Sequence, residues 1–252
     1  MWTQLYESLP VVAEQNWWQN IYANFYRAWF QDGRWTTYFQ GLLTTIEVTV
    51  MALIIGVLLG VLVAMIRVAH DQRRPGTHNI PLSIINGICK VYVTIIRGTP
   101  MMVQLLIWGF VIFKSSRNFN VVGALGLGIN SGAYVAEIIR GGLMSLDPGQ
   151  MEAGRSLGLN YIQTMRFIVI PQAFKAILPS LGNEFIVLLK DTSLISVIAG
   201  KEIVYFARAI GARTYEYMFP LFITAIMYLI MVMIFSWLQS ILERRLRESD
   251  RR

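Results

Sequence analysis

Residues 42–66 read LLTTIEVTVMALIIGVLLGVLVAMI, and this run decides the fold. A helix rises about 1.5 Å per residue, so about 20 apolar residues cross the hydrocarbon of a bilayer. The run carries a single charge, Glu47, and stops at Arg67. Ala52, Gly56, Gly60 and Ala64 recur at every fourth position, a stripe of small side chains that lets a second helix come close. Further along, residues 84–113 are again apolar, broken by Lys90, Arg97 and Gly98-Thr99-Pro100. Residues 121–143 form a Gly-rich span with Glu137, and Arg140 lies at its end. Residues 172–198 form another, carrying Pro179, Glu184 and Lys190-Asp191, and residues 217–242 are a clean apolar run. Hydrophobic residues make up 55% of the chain and charged ones 15%, with mean hydropathy +0.49. A soluble fold cannot hide that much apolar surface. The expectation is an all-α integral membrane protein with five transmembrane helices.

Five spans leave the two ends on opposite sides. If residues 67–81, the polar region after the third span and the tail share one side, that side holds 12 Lys and Arg against 8 on the other. The positive-inside rule then puts the N-terminus outside and the C-terminus in the cytosol. The organisation expected is an aromatic extracytoplasmic or interfacial segment at 1–38, a five-helix domain at 39–243 and a charged cytosolic tail at 244–252. Five of the seven tryptophans fall in the first segment. On a helix, Trp17, Trp18, Ile21, Tyr22, Phe25 and Trp29 share one face, as an interfacial helix or an anchoring aromatic belt requires. The polar stretch 200–216 reads as a short surface helix.

The formal net charge is +7. The cations sit beside apolar runs and not on a basic-aromatic stripe, so anionic membrane lipid is the expected partner and nucleic acid is not. Cys89 stands alone, and His70 and His78 are the only histidines, which offers neither an internal disulfide nor a Cys/His metal cluster. Residues 1–15 lack the basic and apolar regions of a cleavable signal peptide. No GxxxxGK[ST] loop occurs, and Gly200-Lys201-Glu202 fails that pattern at both ends. No nucleophile–base set or HExxH is present either, so the chain is expected to be non-catalytic and free of cofactors.

Between the third and fourth spans lies EAGRSLGLNYIQTMRFIVIP, residues 152–171. Its frame is Glu152-Ala153-Gly154, three residues, Gly158, nine residues, then Ile168-Val169-Ile170-Pro171. Asp147-Pro148-Gly149 opens the region as a turn, and Gly158 suits a left-handed reversal between two short helices. The frame resembles the EAA loop of the membrane subunits of binding-protein-dependent ABC importers, EAA-x3-G-x9-I-x-LP, with Gly154 for the second Ala and Ile170 for the Leu. Three more blocks resemble polar amino acid permeases: Arg97-Gly98-Thr99-Pro100 with Val103-Gln104; Asn130-Ser131-Gly132-Ala133-Tyr134 running on to Arg140-Gly141-Gly142; and Leu181-Gly182-Asn183-Glu184-Phe185 with Leu188-Leu189-Lys190-Asp191-Thr192-Ser193-Leu194. The resemblance covers residues 41–242.

It implies a type I importer permease in the bacterial cytoplasmic membrane. It implies a second permease copy or a sister permease, a dimer of separate ABC ATPases that bind ATP and Mg, an extracytoplasmic solute-binding protein, and a polar amino acid as solute. It also implies a cytosolic coupling loop at about 147–171. There Glu152, Ala153, Gly154, Arg155 and Gly158 meet the ATPase, with Glu152 pressed toward it and Arg155 adding a charge contact.

Charges inside spans cost about 2.5–3.5 kcal/mol each on insertion scales and persist where they pair or line an aqueous path. A zwitterionic solute needs an acceptor for its ammonium and a donor for its carboxylate. Glu184 fits the first role; Arg97, or Asn183 with the backbone freed near Gly98, fits the second. The alternative is that Arg97 and Glu184 pair with one another or with Glu137 to hold helices together. Glu47 lies near the outer end of the first span and completes the candidate pathway set, and Lys190-Asp191 reads as a local ion pair. An ion-driven carrier using Glu137 and Glu184 as protonatable groups is the rival mechanism.

Overall fold

The computed structural model describes residues 2–10, 16–72 and 79–250, with the side chains of 247–250 left aside. Arg73, Arg74, Pro75 and His78 of the expected basic loop lie outside the described residues, as do residues 251 and 252 of the tail. Every regular element among the described residues is helical: α1 Trp2–Glu7, α2 Trp17–Trp29, α3 Trp35–Asp71, α4 Ile80–Gly98, α5 Met101–Ile107, α6 Phe119–Met144, α7 Gly149–Ser156, α8 Tyr161–Thr164, α9 Ile170–Asp191, α10 Ile203–Thr214 and α11 Met218–Asp250.

The centre of the bundle is the α3–α6 pair, and the stripe of small residues makes it. Ala52 and Ala64 are fully buried. A Cβ placed on Gly60 would lie 2.5 Å from Val135 Cγ1, and one on Gly56 would lie 2.9 Å from Ser131 Cβ. Close backbone approach of this kind maximises dispersion contact where no hydrophobic effect drives helices together. Thr45 and Thr49 of α3 are also buried, and their hydroxyls donate to the carbonyls of Gly41 at 3.0 Å and Thr45 at 2.7 Å. Neither hydroxyl is therefore stranded in an apolar setting.

Among the described residues, four helices are long and apolar enough to cross a membrane: α3, α4, α6 and α11. The fourth expected span, residues 172–198, divides instead. Its first part, α9, carries Lys175, Glu184, Lys190 and Asp191 and falls short in apolarity, and residues Thr192–Ile198 continue as a 3₁₀ helix that closes at Ala199, φ 62°. The second expected span divides as well. Helix α4 ends at Gly98, Pro100 caps α5, and α5 runs into a π-helical turn at Trp108–Ile112.

Two expectations about the extracore segments change. Residues 200–216 hold the expected short helix, but only one side of it is surface: α10 exposes Arg208, Ala212 and Arg213 and buries Ile203, Ala207, Ile210 and Gly211 against α3 and α11. These apolar positions are spaced four, three and one apart, a helical face that Arg208 and Arg213 obscure in the bare sequence. The aromatic face of α2 is split. Trp17 and Trp18 are exposed, while Phe25 and Trp29 pack on the cluster of Tyr38, Ile203, Ala207 and Ile223. Asn16 and Gln19 cap α2 reciprocally at 2.9 and 3.0 Å, which fixes where the helix begins.

Candidate functional site

The loop at 147–171 is a helix–turn–helix whose bonds are almost all local. Asp147 Oδ1 accepts from the Gly149 amide at 2.8 Å and opens α7. Gly158 takes φ +80°, the Leu159 amide donates back to the Gly154 carbonyl at 3.0 Å, and α7 ends in a left-handed glycine cap. Asn160 and Gln163 then cap α8 reciprocally at 2.9 Å each. Two longer bonds fasten the loop to the bundle. Tyr161 donates to Gln72 Oε1 at the end of α3, 2.8 Å, and Gln172 of α9 donates to Gln150 of α7, 3.0 Å.

Glu152, Ala153, Arg155 and Gly158 all lie exposed on this loop. Gly154 is buried, and the close contact it permits is internal: a Cβ there would collide with the Thr164 side chain of α8. Leu157 and Ile162 had no place in the sequence reading. They are 77% and 73% exposed and flank the turn as an apolar pair beside the charges of α7. The only sequence signal for them was two large apolar residues at the edges of a polar loop.

The intramembrane charges divide into two places. Glu184 is buried, and its carboxylate accepts one hydrogen bond, from Ser131 Oγ of α6 at 2.7 Å. Asn183 beside it is exposed, and so is Glu47 on α3. Arg97 and Glu137 come together with Arg67 and Lys90 around a cavity of about 340 Å³. Arg97 pairs with neither Glu184 nor Glu137; its guanidinium lies over the Tyr134 ring, 5.1 Å from the centroid. Glu137 is held instead by Arg67 and by Arg140, the latter at 3.0 Å. The reason is helical register, since Arg140 is one turn from Glu137 and Arg67 arrives through the close α3–α6 contact. Lys190 and Asp191 form no ion pair among the described residues.

Gln104 holds the Gly98-Thr99-Pro100 break. Its Nε2 donates to the Ile96 carbonyl at 2.8 Å and to Thr99 Oγ1 at 2.7 Å, and its Oε1 accepts from Asn130 at 3.1 Å. Three of the recognised blocks thus meet in two bonded groups: Gln104 with Asn130, and Ser131 with Glu184.

The sequence marks Glu202 only as the end of the Gly200-Lys201-Glu202 stretch. Its side chain is fully buried, accepts from the Val204 and Tyr205 amides at 2.8 Å each and accepts from Tyr228 at 3.0 Å. Burial pushes its carboxyl up to about 7, and the two amides, Tyr228 and the Arg208 charge restrain the rise. Among the described residues no cluster of His, Cys, Asp and Glu is placed to hold a metal ion.

The chain is a member of the family of binding-protein-dependent transport system inner membrane components, whose model matches residues 79–248. It is 34% identical over 210 residues to the putative glutamine transport system permease protein GlnP of Rickettsia felis, covering 82% of this chain and 91% of that one. The arginine transport system permease protein ArtQ of Bacillus subtilis is 35% identical, covering 84% and 93%. The L-cystine transport system permease protein TcyB of the same organism is also 35% identical, covering 86% and 89%. Among solved structures, an amino acid ABC transporter with histidines superposes with TM-score 0.74 at 41% identity, over 83% of this chain and 94% of that one. The inward-facing MetNI methionine ABC transporter superposes with TM-score 0.71 over 86% and 99%; at 17% identity it speaks for the fold alone.

Proposed function

We propose that this chain is the permease subunit of an ABC importer for polar amino acids. It crosses the bacterial cytoplasmic membrane five times, with α9 as the fourth, charge-bearing span, its N-terminus outside and its C-terminus in the cytosol. A second copy or a sister permease completes the pathway, and a solute-binding protein delivers the amino acid from outside. The chain itself performs no bond chemistry; ATP and Mg are bound by a dimer of separate ATPases.

The observation that carries this reading is the α7–Gly158–α8 hairpin. It is stiffened by its own caps, tied to α3 and α9, and exposes Glu152, Ala153, Arg155, Leu157 and Ile162. A stiff exposed element fixed to two bundle helices passes a push from an ATPase into the membrane domain. Gly154 supports this from within by letting α7 and α8 touch. Glu184, with Ser131 beside it and Asn183 next in sequence, is the proposed acceptor for the solute ammonium once the helices part. Arg97, exposed near the C-terminal end of α4, is the proposed donor for the solute carboxylate, and Glu47 lies toward the outer end of α3. Glu137 is bound between two arginines, which argues against its serving as the free proton carrier of an ion-driven mechanism.

The test is uptake into proteoliposomes holding the permease, its ATPase and its binding protein. Glutamine, arginine or cystine should enter only with internal ATP, at a rate that collapsing the ion gradients leaves unchanged. Uptake that follows the gradient and ignores ATP would contradict the proposal.

A further inference from the structure

We propose that the cavity between α3, α4 and α6 is a carboxylate site, formed by Arg67, Lys90 and Arg97 with Glu137 as its fixed counter-ion. The cavity holds about 340 Å³ and is lined by these four residues with Val93 and Thr94. That volume falls in the range of small-molecule pockets, roughly 300–1,000 Å³. Three cations face it against one anion, and the anion is already engaged on both oxygens by Arg67 and Arg140. Lys90 makes no hydrogen bond or ion pair among the described residues. Among the described residues Arg97 is balanced by the face of Tyr134 and by no carboxylate. Arg67 Nε is buried with no partner. Uncompensated cations at membrane depth are expensive, so the cluster calls for an anion supplied from elsewhere. Two guanidinium forks and an ammonium suit the planar, bidentate geometry of a carboxylate.

Position names the occupant. Arg67 stands five residues before Gln72, the residue that receives Tyr161 of the coupling hairpin, which is about 7.5 Å along α3. Ser131, the partner of Glu184, lies six residues before Glu137, about 9 Å further from the hairpin along α6. An amino acid leaving Glu184 toward the hairpin meets the cations next, and they take its α-carboxylate. This inference rests on the permease reading above and adds Lys90 and Arg67 to it as solute contacts on the way to the cytosol.

The experiment places a cysteine in the cavity wall, Thr94→Cys with Cys89→Ala, in the permease–ATPase complex in phosphatidylcholine nanodiscs. Its labelling by a sulfonate-bearing and by a trimethylammonium-bearing thiosulfonate is timed with and without L-glutamine, L-arginine and their C-terminal amides. The sulfonate reagent should react about tenfold faster than the ammonium one. A transported amino acid should slow labelling, and its amide should not. Lys90→Gln should weaken that protection about tenfold, while Lys90→Arg keeps it. Equal reagent rates, equal protection by acid and amide, or full protection in Lys90→Gln would each overturn the site. Slowed labelling produced by adding phosphatidylglycerol alone would overturn the occupant in favour of a lipid headgroup. Parallel uptake separates the two readings: uptake without protection removes this site only, whereas neither uptake nor protection removes the permease reading with it.

Discussion

The chain keeps its carboxylates in two opposite ways. Glu152 stands exposed on a hairpin whose internal bonds span two to five residues. Glu137, Glu184 and Glu202 are enclosed in the bundle, each held by groups from distant parts of the chain: Arg67, Ser131 and Tyr228. An exposed carboxylate contributes little to the fold and is available to a partner. An enclosed one is part of the fold, and its removal strands whatever it neutralised. The two groups should therefore respond to substitution in opposite ways, the hairpin losing coupling with stability intact and the bundle losing stability first.

The largest expected effect is at Glu137. Glu137→Ala leaves Arg67 and Arg140 facing one another without an anion, and loss of one partner of an enclosed pair costs about 3–5 kcal/mol. Thermal unfolding of the purified protein in detergent should register it as a sharp fall in midpoint, and a midpoint within a degree of the parent would break the contrast.

Next comes Glu202. Its carboxyl is raised from 4.5 to about 7, so the folded protein binds a proton there that the unfolded chain releases. The stabilisation is complete below about 4.5 and is lost as pH rises to about 7, on the order of 3 kcal/mol across that window. The pH dependence of unfolding should flatten in Glu202→Gln. An unchanged slope between pH 5 and 7 would remove Glu202 as its source.

Gly158 sharpens the contrast from the hairpin side. Its φ of +80° is costly for a β-branched side chain, so Gly158→Val should cost about 1–2 kcal/mol and abolish uptake. The smallest stability effect belongs to Glu152→Ala, within about 0.5 kcal/mol as for an exposed position, together with near-complete loss of transport. Normal uptake in Glu152→Ala would end the coupling assignment.

The same contrast governs what could be read before the structure. The hairpin was legible because its determinants are near in sequence: the Asp147-Pro148-Gly149 turn and the left-handed Gly158 are local chemistry. That α3 admits a close neighbour was legible as a four-residue period of small side chains; that the neighbour is α6 was not. The pairing of Arg97 was not, since its alternatives differ only in which helix faces which, and Tyr134 presents a ring where a carboxylate was considered. Helix α10 was legible as a short helix but its packed face was not, because Arg208 and Arg213 mask a four-three-one apolar pattern. Glu202 escaped notice because nothing local tells a buried N-cap acid from a solvated one; Tyr228, 26 residues away, makes the difference.

The central claim is that the hairpin engages a separate ATPase. The most direct measurement is to isolate the chain from native membranes in mild detergent and identify its companions with their stoichiometry, for the parent and for Glu152→Ala with Leu157→Ser. The account predicts two ABC ATPases per two permease subunits for the parent and loss of the ATPases from the double variant. Recovery of the parent without any ATPase, under conditions that keep permease subunits together, would contradict it.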